Sequence, residues 1–289
     1  MTHASNPSAA LVRDAQRIAE ALALSRREAR LEAELLLAHA LGVTRTQLVA
    51  HPERAADAVQ ANRYPEYLER RLAGEPMAYI VGEREFYGLS FQVTPAVLIP
   101  RPETELLVEM ALQRIGPAAS ARVLDLGTGS GCIAVSIAHL RSHAQVVATD
   151  ISETALAVAK ANALRHQAAN AEFRLGDGYA PVADAQFDLI VVNPPYVAEG
   201  DAHLARGDLR YEPQGALVSG PDGLTLMRRL VAQASRHLRA GGWLLVEHGY
   251  DQAEPVRGLF QVAGFQDLCS ACDLAGVPRA AAGRLTLKP

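Results

Sequence analysis

The stretch FDLIVVNPPY, residues 187 to 196, sets the frame for the whole chain. Phe187 to Val192 is short, almost wholly apolar and rich in β-branched residues, the pattern of a strand buried on both faces of a parallel sheet. The run stops at Asn193. Two successive prolines fix φ, remove two N–H donors and push the residue before each out of the α region, so Asn193 and Pro194 are expected to be extended. A strand ending this way offers the Asn193 side-chain oxygen and the Pro194 carbonyl as fixed acceptors. They sit at the carboxyl edge of the sheet, where ligands of α/β folds bind. Pro195 stiffens the turn and Tyr196 sets a ring beside it. Such a receptacle suits a flat group bearing an NH₂, an amide or an adenine. A proline-stiffened loop that binds nothing is the plainer alternative.

Outward from this stretch the chain alternates strand and helix. The expected strands are 122–126, 145–149, 171–175, 187–192 and 242–247, with two late β-like runs near 266–272 and 284–287. Helical patterns over 132–140, 153–166, 223–238 and 252–263 separate them, Ser152 standing as an N-cap. Alternation of this kind predicts a doubly wound sheet with right-handed crossovers.

Three further strand ends carry chemistry. Asp125-Leu-Gly127-Thr128-Gly129-Ser130-Gly131 runs from a strand directly into a helix. Glycines at alternate positions let the backbone pass close beneath a ligand, and the helix start presents free N–H groups. The spacing is neither the dinucleotide fingerprint, since Cys132 stands where a glycine is required, nor a P-loop, which needs a Lys-Ser/Thr. Asp150 ends the next strand, about twenty residues on, where a carboxylate accepts two ribose hydroxyls. Gly176-Asp177-Gly178 ends the third, and Asp177 there is placed to take an adenine amine. Taken singly, each of these residues is as easily a cap or a turn. Together with Asn193 at the fourth strand end they describe one nucleotide-like site.

The amino-terminal part reads differently. From about Ala9 to Ala73 the pattern is helical, with Ser25-Arg-Arg-Glu28 and Thr44-Arg-Thr-Gln47 as capping boxes and a further helix over 56–72. This predicts a small bundle of about four helices over residues 1–73, either a docking module for a partner or a cap on the larger domain. Gly74-Glu-Pro76 breaks it, and Tyr79 to Val93 alternates like a hairpin around Tyr87-Gly88, giving a linker over 74–95. Pro102 suits the first residue of a helix running to about Ile115, and Arg101 and Glu103, placed just before the sheet begins, are either helix-entry charges or candidates to line the cofactor mouth.

Composition narrows the classes. A chain of 289 residues with net charge −4 and dispersed basic residues advertises no nucleic-acid face. Thr2 to Ala10 lacks the apolar core of a signal peptide, and no run is long enough to span a membrane, so a cytoplasmic protein is expected. The three cysteines, Cys132, Cys269 and Cys272, exclude a fully paired disulfide framework. The Cys269-x-x-Cys272 pair has no second pair for zinc, and the histidines show no ligand spacing, so no metal is expected.

The glycine turn, Asp150 and Asn193-Pro-Pro-Tyr196 together resemble a class I S-adenosylmethionine-dependent methyltransferase. Arg84-Glu-Phe86, Leu98-Ile-Pro-Arg-Pro-Glu-Thr-Glu105 and Arg210-Tyr-Glu-Pro213, behind a helical domain, narrow the likeness. The chain is similar over nearly its whole length to the HemK-type glutamine methyltransferases of peptide chain release factors. The resemblance implies a Rossmann-like methyltransferase domain over 96–289, S-adenosylmethionine as cofactor, and the glutamine of the release factor's Gly-Gly-Gln loop as substrate, methylated at N5. On it, Gly127, Thr128, Gly129, Ser130, Gly131, Asp150, Asp177, Gly178 and Asn193 hold the cofactor. Asn193, Pro194, Pro195 and Tyr196 carry the chemistry, and residues 1–73 dock the protein substrate. The family often has a large aromatic where Gly178 stands, which leaves Tyr179 as the candidate adenine contact. Asn-Pro-Pro-Tyr is shared with DNA adenine methyltransferases, but the basic groove and target-recognition segment they need are absent from the sequence. An NAD-dependent oxidoreductase would share the ribose-binding acid, and a non-catalytic binding protein the fold.

Overall fold

The computed structural model describes residues 7–50, 63–205 and 207–286. Expectations that fall on Thr2 to Asn6, on 56–62 and on Leu287 lie outside the described residues. Contacts divide the chain at Gly82 into two compact units, with His203–Tyr211 belonging to the first and the return at Glu212 to the second.

The first unit contains helices α1 (Pro7–Leu22), α2 (Arg26–Leu41), α3 (Arg45–Ala50), α4 (Tyr64–Leu72) and α5 (Met77–Val81). Both expected capping boxes form: Ser25 with Glu28, and Thr44 with Gln47, each side chain taking the other residue's backbone N–H. Ile18, Ala29, Ala33, Leu36, Leu68 and Ile80 make its core. Residues 77–81 are helical rather than the start of a hairpin. Pro76 stands at the N-cap and Gly82, at φ 79°, closes the turn by donating its N–H to Ala78. The segment His203–Tyr211 is fastened here by Arg210 and Tyr211, both donating to the Ala73 carbonyl at 2.8 Å.

The second unit opens with the hairpin β1 (Glu83–Phe86) and β2 (Leu89–Gln92), whose Phe86 and Phe91 are fully buried. Of the stretch 74–95 expected as a linker, residues up to Gly82 fall in the first unit and the hairpin from Glu83 in the second. Then follow α6 (Glu105–Arg114), β3 (Arg122–Leu126), α7 (Cys132–Leu140), β4 (Gln145–Asp150), α8 (Glu153–Arg165), β5 (Ala171–Leu175), β6 (Phe187–Val192), α9 (Thr225–His237), β7 (Leu238–Glu247), α10 (Ala253–Val262), β8 (Phe265–Cys272) and β9 (Pro278–Leu285). One seven-stranded sheet runs in the order β5-β4-β3-β6-β7-β9-β8, with β9 antiparallel to its neighbours.

The continuous apolar run of β6 has a simple cause. Leu189 and Val191 enter the core on one face of the sheet, with Phe86, Leu107 and Ile133. Ile190 and Val192 enter the other, with Met227, Leu230 and Phe260. Period-2 alternation with both faces covered leaves no polar position from Leu189 to Val192. The strand order reverses between β3 and β6, and the crevice at such a switch point is where α/β sheets bind ligands. Among the described residues no helix is long and apolar enough to cross a membrane.

Candidate active site

A cavity of about 270 Å³ opens at the carboxyl ends of β3, β4, β5 and β6, lined wholly by residues of the second unit. Gly127, Thr128, Gly129, Ser130, Asp150, Asp177, Gly178, Asn193, Pro194 and Pro195 all line it. Gly131 and Tyr196 do not, and each has a supporting place instead.

The glycine turn is clamped from beneath. Thr128 donates its N–H to the Thr149 carbonyl at 2.9 Å and its hydroxyl to Asp125 Oδ2 at 2.7 Å, while Asp125 also receives Ala134 N–H at 3.2 Å. Burial lifts the Asp125 carboxyl to about 7, against those two hydrogen bonds and with a push from Asp150. Asn162, wholly buried on α8, donates to the Ser130 carbonyl at 2.8 Å and exchanges hydrogen bonds with the Gln92 backbone, tying turn, helix and hairpin together. Gly131 sits at φ 82°, and a Cβ there would come 3.0 Å from the Ala159 side chain. Its role is close packing of α7 on α8.

Asp150 is fixed on both oxygens: Oδ2 accepts Gly129 N–H and Oδ1 accepts Ser152 N–H, each at 2.9 Å. Each oxygen keeps a further lone pair for a ligand hydroxyl. Asp177 forms a two-pronged pair with Arg229 at 2.6 and 2.7 Å at the cavity edge. Tyr179, expected against an adenine, is turned away. Its ring stacks on His237 with centroids 4.3 Å apart and its hydroxyl donates to the Leu230 carbonyl at 3.1 Å. Gly178, at φ 54°, makes the turn that sends the next side chain into the core. The apolar wall is supplied by Ile151, Leu226 and Leu230.

At the other side, Asn193 Nδ2 donates to Thr104 Oγ1 at 3.1 Å. Thr104 ends the 3₁₀ turn Pro102–Thr104, is 2 % exposed and lines the cavity, as does Arg101, which pairs with the buried Glu212. Tyr196 is held at both ends: its hydroxyl donates to Glu247 Oε1 at 3.2 Å and its carbonyl accepts from Gln252 Nε2 at 2.9 Å. Glu247 is fully buried, and desolvation raises its carboxyl to about 7 against the pull of the Thr104 and Tyr196 hydroxyls. Tyr196 is itself pushed well above the usual phenol range, first by burial and then by Glu247. Thr104, Glu247 and Asn162 escaped the sequence reading. Each acts through a partner far along the chain, and the only local signals were an acid ending the 242–247 strand and the threonine inside 98–105.

A sheet of this order, with a clamped glycine turn, a strand-end carboxylate and Asn193-Pro-Pro beside one cavity, defines a class I methyltransferase. The Methyltransferase small domain family matches residues 102–208 and the PrmC N-terminal domain family residues 14–82. The release factor glutamine methyltransferase of Burkholderia pseudomallei is 51% identical over 261 residues, covering 88% of this chain and 92% of that protein. That of Bordetella pertussis is 50% identical over 257 residues, covering 89% and 95%. A methyltransferase from Pyrococcus furiosus shares the fold at a TM-score of 0.53 and 16% identity, over 77% of this chain and 99% of that one. The chain belongs to the release factor glutamine methyltransferase family.

Proposed function

We propose that this chain transfers the methyl group of S-adenosylmethionine to the side-chain amide nitrogen, N5, of the glutamine in the Gly-Gly-Gln loop of peptide chain release factors. The observation that carries the reading is the fixed Asn193 amide. Its nitrogen is engaged by Thr104, so its oxygen is the atom left to receive an NH₂ beside Pro194. The chain's own residues fit the cofactor. Asp150 has a free lone pair on each oxygen for two adjacent hydroxyls, and the glycine turn and Leu226–Leu230 wall suit a flat, partly apolar nucleoside. When bound, S-adenosylmethionine supplies an electrophilic methyl on a sulfonium.

An amide nitrogen is a weak nucleophile because its lone pair is delocalised. Asn193 Oδ1 and the Pro194 carbonyl, accepting its two N–H groups, hold the nitrogen in line and favour pyramidalisation. The N–C bond forms as the S–C bond breaks, and the nitrogen then sheds a proton. Carboxylates lining the cavity among the described residues are Asp150 and Asp177, at the ends of β4 and β5. These strands lie two and three places from β6 in the sheet, so roughly 10 Å and 14 Å away at about 4.8 Å per strand. Among the described residues no carboxylate that lines the cavity is adjacent, and the proton leaves to water after transfer, once the cationic nitrogen is strongly acidic.

The helical unit is proposed as the docking surface for the release factor. A cytoplasmic setting suits that substrate and the three free thiols of Cys132, Cys269 and Cys272. Tandem mass spectrometry of a release factor incubated with enzyme and S-adenosylmethionine tests the reading. One added methyl on the loop glutamine is expected, and a methyl found elsewhere or none at all overturns it.

A further inference from the structure

Two loops of the second unit form facing lips of the cofactor cavity. One contributes Leu98, Pro100 and Arg101 ahead of the turn Pro102–Thr104, and the other Pro213, Gly215 and Ala216. The second lip is internally braced. Ala216 N–H donates to the Pro213 carbonyl and Val218 N–H to that of Gln214, each at 2.9 Å, and a bridge from Val197 to Val218 ties its far end to the chain leaving Tyr196. The first lip has no regular structure over 98–101.

The lips meet at Glu212. Its carboxylate is wholly buried; Oε2 accepts Ile99 N–H at 3.2 Å and Oε1 accepts from Arg101 Nη2. Both partners only donate and an ionised carboxylate only accepts, so one group takes the backbone and a side chain of the facing lip together. An amide cannot, because its NH₂ would meet one of the two donors. Burial takes the carboxylate out of water, and that cost offsets much of its attraction to Arg101. The net hold is small enough to part and re-form.

We propose that Glu212 is the clamp of the cofactor cavity, closing one lip on the other, so that S-adenosylmethionine enters and the demethylated product leaves while the Glu212 contacts are broken. The inference rests on the reading of this cavity as the S-adenosylmethionine site. Glu212 does not line the cavity and touches no reacting atom; it acts as a positioning residue through Ile99 and Arg101. The same contacts hold the segment that leads into Thr104, the partner of Asn193, so the closed clamp also places the methyl-acceptor side of the site.

A clamp of this kind has a kinetic signature. Exchange through the open state makes association and dissociation both proportional to the open fraction, so weakening the clamp raises the two rates alike and leaves Kd nearly unchanged. Loss of a residue that merely supports the wall speeds dissociation alone. Surface plasmon resonance with the immobilised full-length enzyme and S-adenosylhomocysteine as analyte measures both rates. Glu212→Gln should raise each about tenfold, the low end for loss of one hydrogen bond to a charged group, with Kd within about threefold of wild type. Arg101→Lys, which keeps the charge but not the fork, should move both rates the same way by less. The inference is overturned if association is not faster in Glu212→Gln, whatever dissociation does. Should Glu212→Gln fail to melt cooperatively, Arg101→Lys decides by its association rate. A wild-type enzyme that binds no S-adenosylhomocysteine overturns the reading of the cavity itself, and this inference with it.

Discussion

Asp150→Ala separates cofactor binding from the rest of the machinery. In the folded protein its two oxygens already hold Gly129 and Ser152 N–H groups, each at 2.9 Å, so the carboxylate is pre-oriented and costs no ordering when a ligand arrives. Hydrogen bonds to a charged group are each worth ~1.5–3 kcal/mol, so loss of the ribose contacts should weaken S-adenosylmethionine at least about 10- to 150-fold. Part of the effect comes from the glycine turn, whose Gly129 N–H loses its partner. Asp150 is half-buried, so water can replace that partner and the fold should survive. Asp150→Asn keeps one acceptor oxygen and should fall between wild type and alanine. Isothermal calorimetry with S-adenosylmethionine, alongside a melting curve, measures both effects. A Kd within twofold of wild type in a folded Asp150→Ala protein would refute the placement of the ribose.

Two further outcomes follow from the structure. Asp125 and Glu247 are held at about 7 in the native protein, above their ordinary values of 3.8 and 4.5. The native state therefore binds protons more tightly than the unfolded chain. Their contribution to stability is complete below about pH 4 and is lost as pH rises toward about 7. Urea titrations between pH 5 and 8 should show stability falling with pH, with a shallower slope in Glu247→Gln; an unchanged slope would mean that the acid ionises freely in the fold. Removing residues 1–82 should leave cofactor affinity nearly intact yet raise the KM for release factor steeply, since remote contacts supply the energy that delivers the loop. A folded truncation with unchanged KM would make the helical unit a cap only.

Most of the sheet was legible because its strands declare themselves locally. β5 and β6 have the limits expected for them, 171–175 and 187–192, the first alternating and the second an almost wholly apolar run, and both capping boxes are contained within four residues. The short helix Met77–Val81 was not, because one and a half turns of apolar residues cannot be told from alternation, and its limits were set by Pro76 and the left-handed Gly82. The site was legible as strand ends but not as side-chain directions. Tyr179 is one residue beyond a lining glycine and faces the core, since the turn at Gly178 rotates it toward His237. Thr104 acts on Asn193 across 89 positions and Glu247 on Tyr196 across 51. The first pair needs the packing of the Pro102–Thr104 turn on the end of β6, and the second the register of β6 on β7.

The measurement that bears most directly on the account is the single-turnover rate of Asn193→Ala on intact release factor at saturating S-adenosylmethionine. If Asn193 Oδ1 accepts from the glutamine amide, its removal should slow methyl transfer about 10²- to 10³-fold, the usual loss for one preorganised polar group. A near-normal rate would mean that Asn193-Pro-Pro-Tyr196 is only a stiff turn and that the methyl acceptor is held elsewhere.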